Sequence, residues 1–232
     1  MLLTLSQLGV KVKIAKAISS ILFVSFSLNA FAAEFPAQGR LFIGSTAADF
    51  SQVYSNLTAV GMDTFVSSGR YGLEITYPWK FLNIGLRYHK TDQVVYEKPE
   101  STATNYEGEL IQDENLLLAR VPVFKQGALY ADVFAGFGGT NTTYKLRTAT
   151  QVGELNKKDP GAFVASPVGA AGVSVGVGHK NVYAFVEAGY EYNKVSSLDR
   201  TGSISAAIQE IDLSGSYVLV GLILDGIKAT SQ

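Results

Sequence analysis

The chain has 232 residues and no cysteine, so it carries no disulfide, thiol nucleophile or thiolate metal site. Only 17% of its residues are charged, against roughly 25% in ordinary soluble domains, and its mean hydropathy is +0.17. A net charge of −1 leaves no basic footprint for nucleic acid, which is not expected as a partner.

Residues 1–33 read as a cleaved export signal. Lys11, Lys13 and Lys16 form a positive lead, AISSILFVSFSL (17–28) is an apolar run, and Ala30–Ala33 offers a small-residue cleavage site before Glu34. The apolar run is too short to span a bilayer comfortably as a helix. No cysteine follows it, so no lipid anchor is expected. Removing the segment leaves 16 basic and 20 acidic residues, a net charge of −4.

From residue 34 onward the pattern predicts one domain, 34–232, of eight strands over about 39–48, 69–78, 81–96, 109–124, 127–147, 162–178, 181–195 and 204–226. Short separators (78–81, 125–127, 179–181) alternate with long polar ones (49–68, 97–108, 150–161, 196–203). Within the segments apolar residues recur with a period of two. Tyr71, Leu73, Ile75 and Tyr77 stand against Gly72, Glu74 and Thr76; Val182, Ala184, Val186 and Ala188 stand against Tyr183, Phe185 and Glu187. An exported chain with an even number of strands and alternating short and long connections predicts an all-β, eight-stranded antiparallel up-and-down transmembrane barrel. In lipid the sheet must close, because an open edge leaves backbone groups unsatisfied. The apolar stripe then faces lipid and the mixed set faces the lumen.

A barrel of eight strands has an interior that side chains fill, so charges there make a plug. Counting from the nearest short turn, Glu74 lies four before Pro78, Arg87 six after Phe81 and Arg120 five before Lys125. Asp132 lies five after Gly127, and Glu187 six after Asn181. These five share one level, and pairing among them is expected, since a lone charge in a narrow lumen is costly. The alternative is that they sit at different azimuths and are separately hydrated. Glu191, one repeat further out, has no basic partner at its level except His89 or Lys90. Tyr77, Trp79, Phe81 and Phe124 at the short-turn end, with Tyr190 and Tyr192 at the other, match the aromatic girdles of membrane barrels.

The export segment together with YGLEITYPWKFLNIGLRYHK (71–90), LLLARVPVFKQGALYADVFAGFGG (116–139) and VYAFVEAGYEY (182–192) resembles the small bacterial outer-membrane β-barrel superfamily. That superfamily includes the OmpA transmembrane domain, OmpX and the opacity-type surface proteins. The resemblance implies an outer-membrane location, with membrane lipid and the barrel-insertion machinery as partners. It departs at the carboxy terminus, where SYVLVGLILDGIKATSQ lacks the final aromatic such proteins usually carry.

No catalytic site is legible, and an enzyme is not expected. His179 falls in a short turn; His89 has lumenal phase with Asp92 nearby, but no nucleophile can be named beside it. No HExxH or calcium-loop pattern occurs, so neither metal nor cofactor is expected. Asn56-Leu57-Thr58 and Asn141-Thr142-Thr143 match the glycosylation sequon by accident of composition in this setting. The expected role is structural or surface-interacting, as a monomer, with loops 49–68 and 150–161 as contact candidates. Passage of a small, even apolar, solute is the alternative, and a soluble lipocalin-like periplasmic barrel is a further one.

Overall fold

The computed structural model describes residues 37–48, 50–63, 68–97, 106–158 and 166–226. The export segment 1–33, most of the second long connection and the end of the chain lie outside the described residues. The strands are β1 (Gln38–Ala48), β2 (Ser68–Trp79), β3 (Leu82–Glu97), β4 (Tyr106–Gln126), β5 (Leu129–Arg147), β6 (Val152–Lys157), β7 (Pro167–His179), β8 (Val182–Ser196), β9 (Asp199–Gly202), β10 (Glu210–Asp212) and β11 (Gly215–Asp225), with a helix α1 (Ser51–Ala59) after β1.

Eight of these strands close a ring. β1 pairs with β2, β2 with β3, β3 with β4, β4 with β5, β5 with β7, β7 with β8, β8 with β11, and β11 returns to β1, every pair antiparallel. No edge is left in the ring, which removes the unpaired backbone groups an open sheet would expose. The short connections are two-residue turns, Trp79↔Leu82, Gln126↔Leu129 and His179↔Val182 being the last pairs before each. The first turn residue has positive φ in all three: 55° at Lys80, 58° at Gly127 and 54° at Lys180. This matches the hairpin twist that two-residue loops require. A register shift between Pro122 and Phe124 on β4 accommodates the proline, which cannot donate to the ladder.

The alternation of faces is as the period predicts. Along β8, Val182, Ala184, Val186 and Ala188 are exposed, while Tyr183, Phe185, Glu187 and Glu191 are buried. β7 carries the smallest inner face, Ala170, Gly172, Gly176 and Gly178. A Cβ on Gly172 would lie 2.9 Å from the Phe134 ring, and one on Gly176 would run into the ring of Tyr130. The small side of the barrel is thus the space into which aromatic side chains of β5 pack.

The outer end differs from the expectation of polar loops. The connection 49–68 contains α1, the connection 150–161 contains β6, and 196–203 contains β9. β5 is long enough to pair with β7 over its inner half and with β6 over its outer half; β6 then pairs with β9. The expected strand 204–226 divides into β10, which pairs with the outer end of β8, and β11. The reason lies in spacing. Ile204, Ile208 and Ile211 are three and four apart rather than two, and all three are buried. Arg200 donates to the carbonyls of Ile204, Ser205 and Ile208, satisfying backbone that no ladder reaches.

These pieces make a cap with its own apolar core. Phe50, Val53 and Leu57 lie three and four apart along α1 and its entry. They pack with Leu110, Tyr144, Leu146, Leu155, Val195 and the three isoleucines. Among the described residues no helix is long and apolar enough to cross a membrane.

Candidate functional site

Strand register brings the lumenal charges together. On adjacent strands Arg40, Glu74 and Arg87 are direct neighbours, and across the barrel so are Asp132, Ser174 and Glu187. The two rows face each other and bond across the lumen. Arg87 donates to Glu74 at 2.7 and 2.9 Å and to Glu187 at 2.8 and 2.9 Å. Arg120 donates to Glu74 at 2.8 Å, Asp132 at 2.7 Å and Glu187 at 2.6 Å. Arg40 pairs with Asp132 at 2.5 Å and lies 3.5 Å from Glu74. Ser174 donates to Glu187 at 2.9 Å, and Tyr217 donates to it at 3.3 Å.

All five residues expected in this layer therefore meet there, joined by Arg40 and Ser174. Arg40 escaped the count by height because β1 has no short turn before it to measure from. With it the layer holds three guanidiniums and three carboxylates, and it is electrically balanced. Aromatic rings line the guanidiniums: Phe134 lies 4.5 Å from Arg120, and Phe42 and Phe134 lie 5.0 Å from Arg87. Planar guanidiniums suit this double use, bonding carboxylates edge-on while their faces meet rings.

One repeat further out lies a second polar layer. Glu191 is held by Arg70, at 2.6 and 3.1 Å in a two-pronged pair, and not by Lys90. His89 is directly opposite Glu114 in the register, with its Nε2 3.3 Å from Glu114 Oε1 and 3.8 Å from Glu191 Oε2. Asp92 is not the carboxylate beside His89, because odd residues of β3 face inward and Asp92 is even. Gln112 and Asn193 donate to the other oxygen of Glu114 at 2.9 and 3.2 Å. Glu114 and Glu191 lie 25 and 102 residues from His89 on three different strands, a separation at which no local motif could announce them.

Above this layer the cap core closes the outer end, while the inner end opens on a mouth of about 70 Å³ lined by Arg40, Asn83, Tyr130, Asp132 and Tyr183 among others. Asn56 of the first sequon match is buried under the cap and accepts a bond from Tyr144, consistent with a structural role. At the collar, burial raises the Asp212 carboxyl, but hydrogen bonds from Ser214 and Lys194 outweigh it and hold the group below the usual carboxylate range.

A closed ring of eight antiparallel strands, with ion pairs and aromatic rings within and apolar residues without, is a small up-and-down β-barrel. No family model matches the sequence, and no curated protein matches it. Among solved structures, the chain is similar to Neisserial surface protein A, at 12% identity and a TM-score of 0.43 over 82% of this chain and 97% of that one. It is also similar to Ail, the attachment invasion locus protein of Yersinia pestis, crystallised with the heparin analogue sucrose octasulfate. Here the identity is 11% and the TM-score 0.47, over 82% of this chain and all of that one. The fold assignment rests on the strand pairing itself.

Proposed function

We propose that the protein is an integral barrel of the bacterial outer membrane, a monomer with a structural or surface-interacting, non-enzymatic role. The observation that carries this reading is the inversion of polarity along single strands. Val186 is 46% exposed while its neighbour Glu187 is 0% exposed. The same holds around the ring, where Ile43, Leu86, Phe137, Val175 and Val220 are all exposed. In water this belt has no partner, whereas in lipid it has. Trp79, Phe81 and Phe124 at one rim and Tyr190 and Tyr192 at the other, all exposed, fit girdles at the two interfaces.

A lipocalin-like reading wants an open apolar interior, whereas here ion pairs cross the lumen, Phe42, Phe134 and Phe185 pack against them, and the apolar stripe of each strand is exposed. A solute path is disfavoured by guanidinium–carboxylate bonds that cross the lumen and by the apolar cap above them. The surface offered to a partner is that cap, on which Ser51, Gln52, Ser55 and Thr58 of α1 are exposed beside the β6 connection. Membrane lipid and the insertion machinery are the other partners this reading requires.

Cell fractionation tests it. The expected result is recovery in the outer-membrane fraction, release only by detergent, and faster gel migration before boiling than after. A protein soluble without detergent would overturn the reading.

A further inference from the structure

The outer polar layer is unfinished in a way the inner one is not. Neither ring nitrogen of His89 makes a hydrogen bond, and neither does Glu114 Oε1 facing it, although both residues are at most 1% exposed. Asn193 is wholly buried; its amide nitrogen reaches Glu114 at 3.2 Å and Glu191 at 3.4 Å, and its oxygen has no partner. Buried polar atoms ordinarily have partners, so a cluster of orphans around one point needs a physical cause. Charge gives a second reason. With a neutral imidazole, Arg70 alone faces Glu114 and Glu191, leaving one negative charge without a counterion in a buried layer.

We propose that His89, Glu114 and Glu191 form a buried site for a first-row divalent cation of the zinc class. One atom from each lies within 4.8 Å of the others. Bonds of ~2.0–2.2 Å to nitrogen and oxygen put two ligands of a tetrahedral zinc centre ~3.3 Å apart. The His89–Glu114 separation is 3.3 Å and the His89–Glu191 separation 3.8 Å, so small side-chain adjustments complete the set. One imidazole with two carboxylates suits zinc and its neighbours better than magnesium or calcium, which prefer oxygen alone. The supporting shell is in place. Arg70 fixes Glu191, while Gln112 and Asn193 fix Glu114, as metal-bound carboxylates require.

The layer lies between the ion-pair plug and the apolar cap, so the ion enters as the barrel folds and exchanges slowly afterwards. The competing arrangement is a proton shared between His89 Nε2 and Glu114 Oε1, which satisfies those two atoms without metal.

The test uses the full mature chain refolded from urea into detergent micelles, with Zn(II) or Co(II) present and then removed by gel filtration. The expected result is about one bound ion per chain, with the visible absorption of a low-symmetry Co(II) centre. His89→Gln, checked for folding by its migration before boiling, should lose the stoichiometric ion. Asn193→Ala should weaken binding by ~10–100-fold, as outer-shell changes do. If the folded wild type retains no ion above a refolded OmpA-type control, the proton-sharing arrangement stands and the proposal fails. Retention unchanged in both His89→Gln and Asn193→Ala places the ion elsewhere and also overturns it. If His89→Gln does not fold, the wild-type stoichiometry and the Asn193→Ala affinity decide between the two arrangements.

Discussion

In the inner lumenal layer, Arg40, Arg87 and Arg120 face Glu74, Asp132 and Glu187, and every carboxylate oxygen of the three acids accepts a bond from a guanidinium. In the outer layer, Arg70 faces two carboxylates and an imidazole, and Gln93, Thr91 and Thr142 add further buried atoms without partners. Similar residue types, two to six residues apart on β2, β3, β4 and β8, give a closed network and an open one. Charge balance separates them: three against three can be satisfied internally, whereas one against two needs something more. The first arrangement is suited to holding a barrel shut and the second to holding a ligand. The cap above both is a third solution, with its interior filled by apolar side chains.

The contrast can be broken most severely at Arg120. Arg120→Ala leaves only Arg40 and Arg87 to serve the three buried carboxylates of Glu74, Asp132 and Glu187, and removing one partner of a buried pair costs roughly 3–5 kcal/mol. Lys157→Ala, on the partly exposed β6, should change stability by less than about 0.5 kcal/mol. Urea unfolding midpoints of the two variants in micelles read the difference, and equal midpoints would show that the network adds nothing. A smaller effect is expected at Gly176→Val, which forces the Tyr130 ring away from β7. Overpacking of this kind costs about 1–3 kcal/mol, visible as a lower unfolding midpoint with the barrel still formed. The smallest effect is expected at Gln93→Met. Both amide atoms of Gln93 are buried without a partner, so removing the amide costs less than about 1 kcal/mol, or stabilises. A large loss there would mean that water or another ligand satisfies the outer layer at Gln93.

The wall was legible because an apolar outer face and closure of the sheet impose simple rules. A period of two fixed the faces of β2, β3, β5, β7 and β8, and strict alternation of short and long connections set the strand count. Counting from short turns placed Glu74, Arg87, Arg120, Asp132 and Glu187 at one height because strand rise is uniform. The same count had no origin for Arg40, on the strand with no short turn before it, and it overlooked Arg70 as the partner of Glu191. The cap was not legible because its residues obey no single period. Leu155 and Ile208 belong to connections whose overall composition is polar, and only the fold gathers them. The cluster of His89, Glu114 and Glu191 depends on the register of strands distant in sequence, information a local pattern does not hold.

Planar-bilayer conductance of the purified wild type tests the central claim, a membrane barrel sealed by its own side chains, most directly. The expected result is insertion without steady ion conductance, because guanidinium–carboxylate bonds cross the lumen and the apolar cap closes the outer end. Stable, long-lived open channels from the wild-type protein would contradict it.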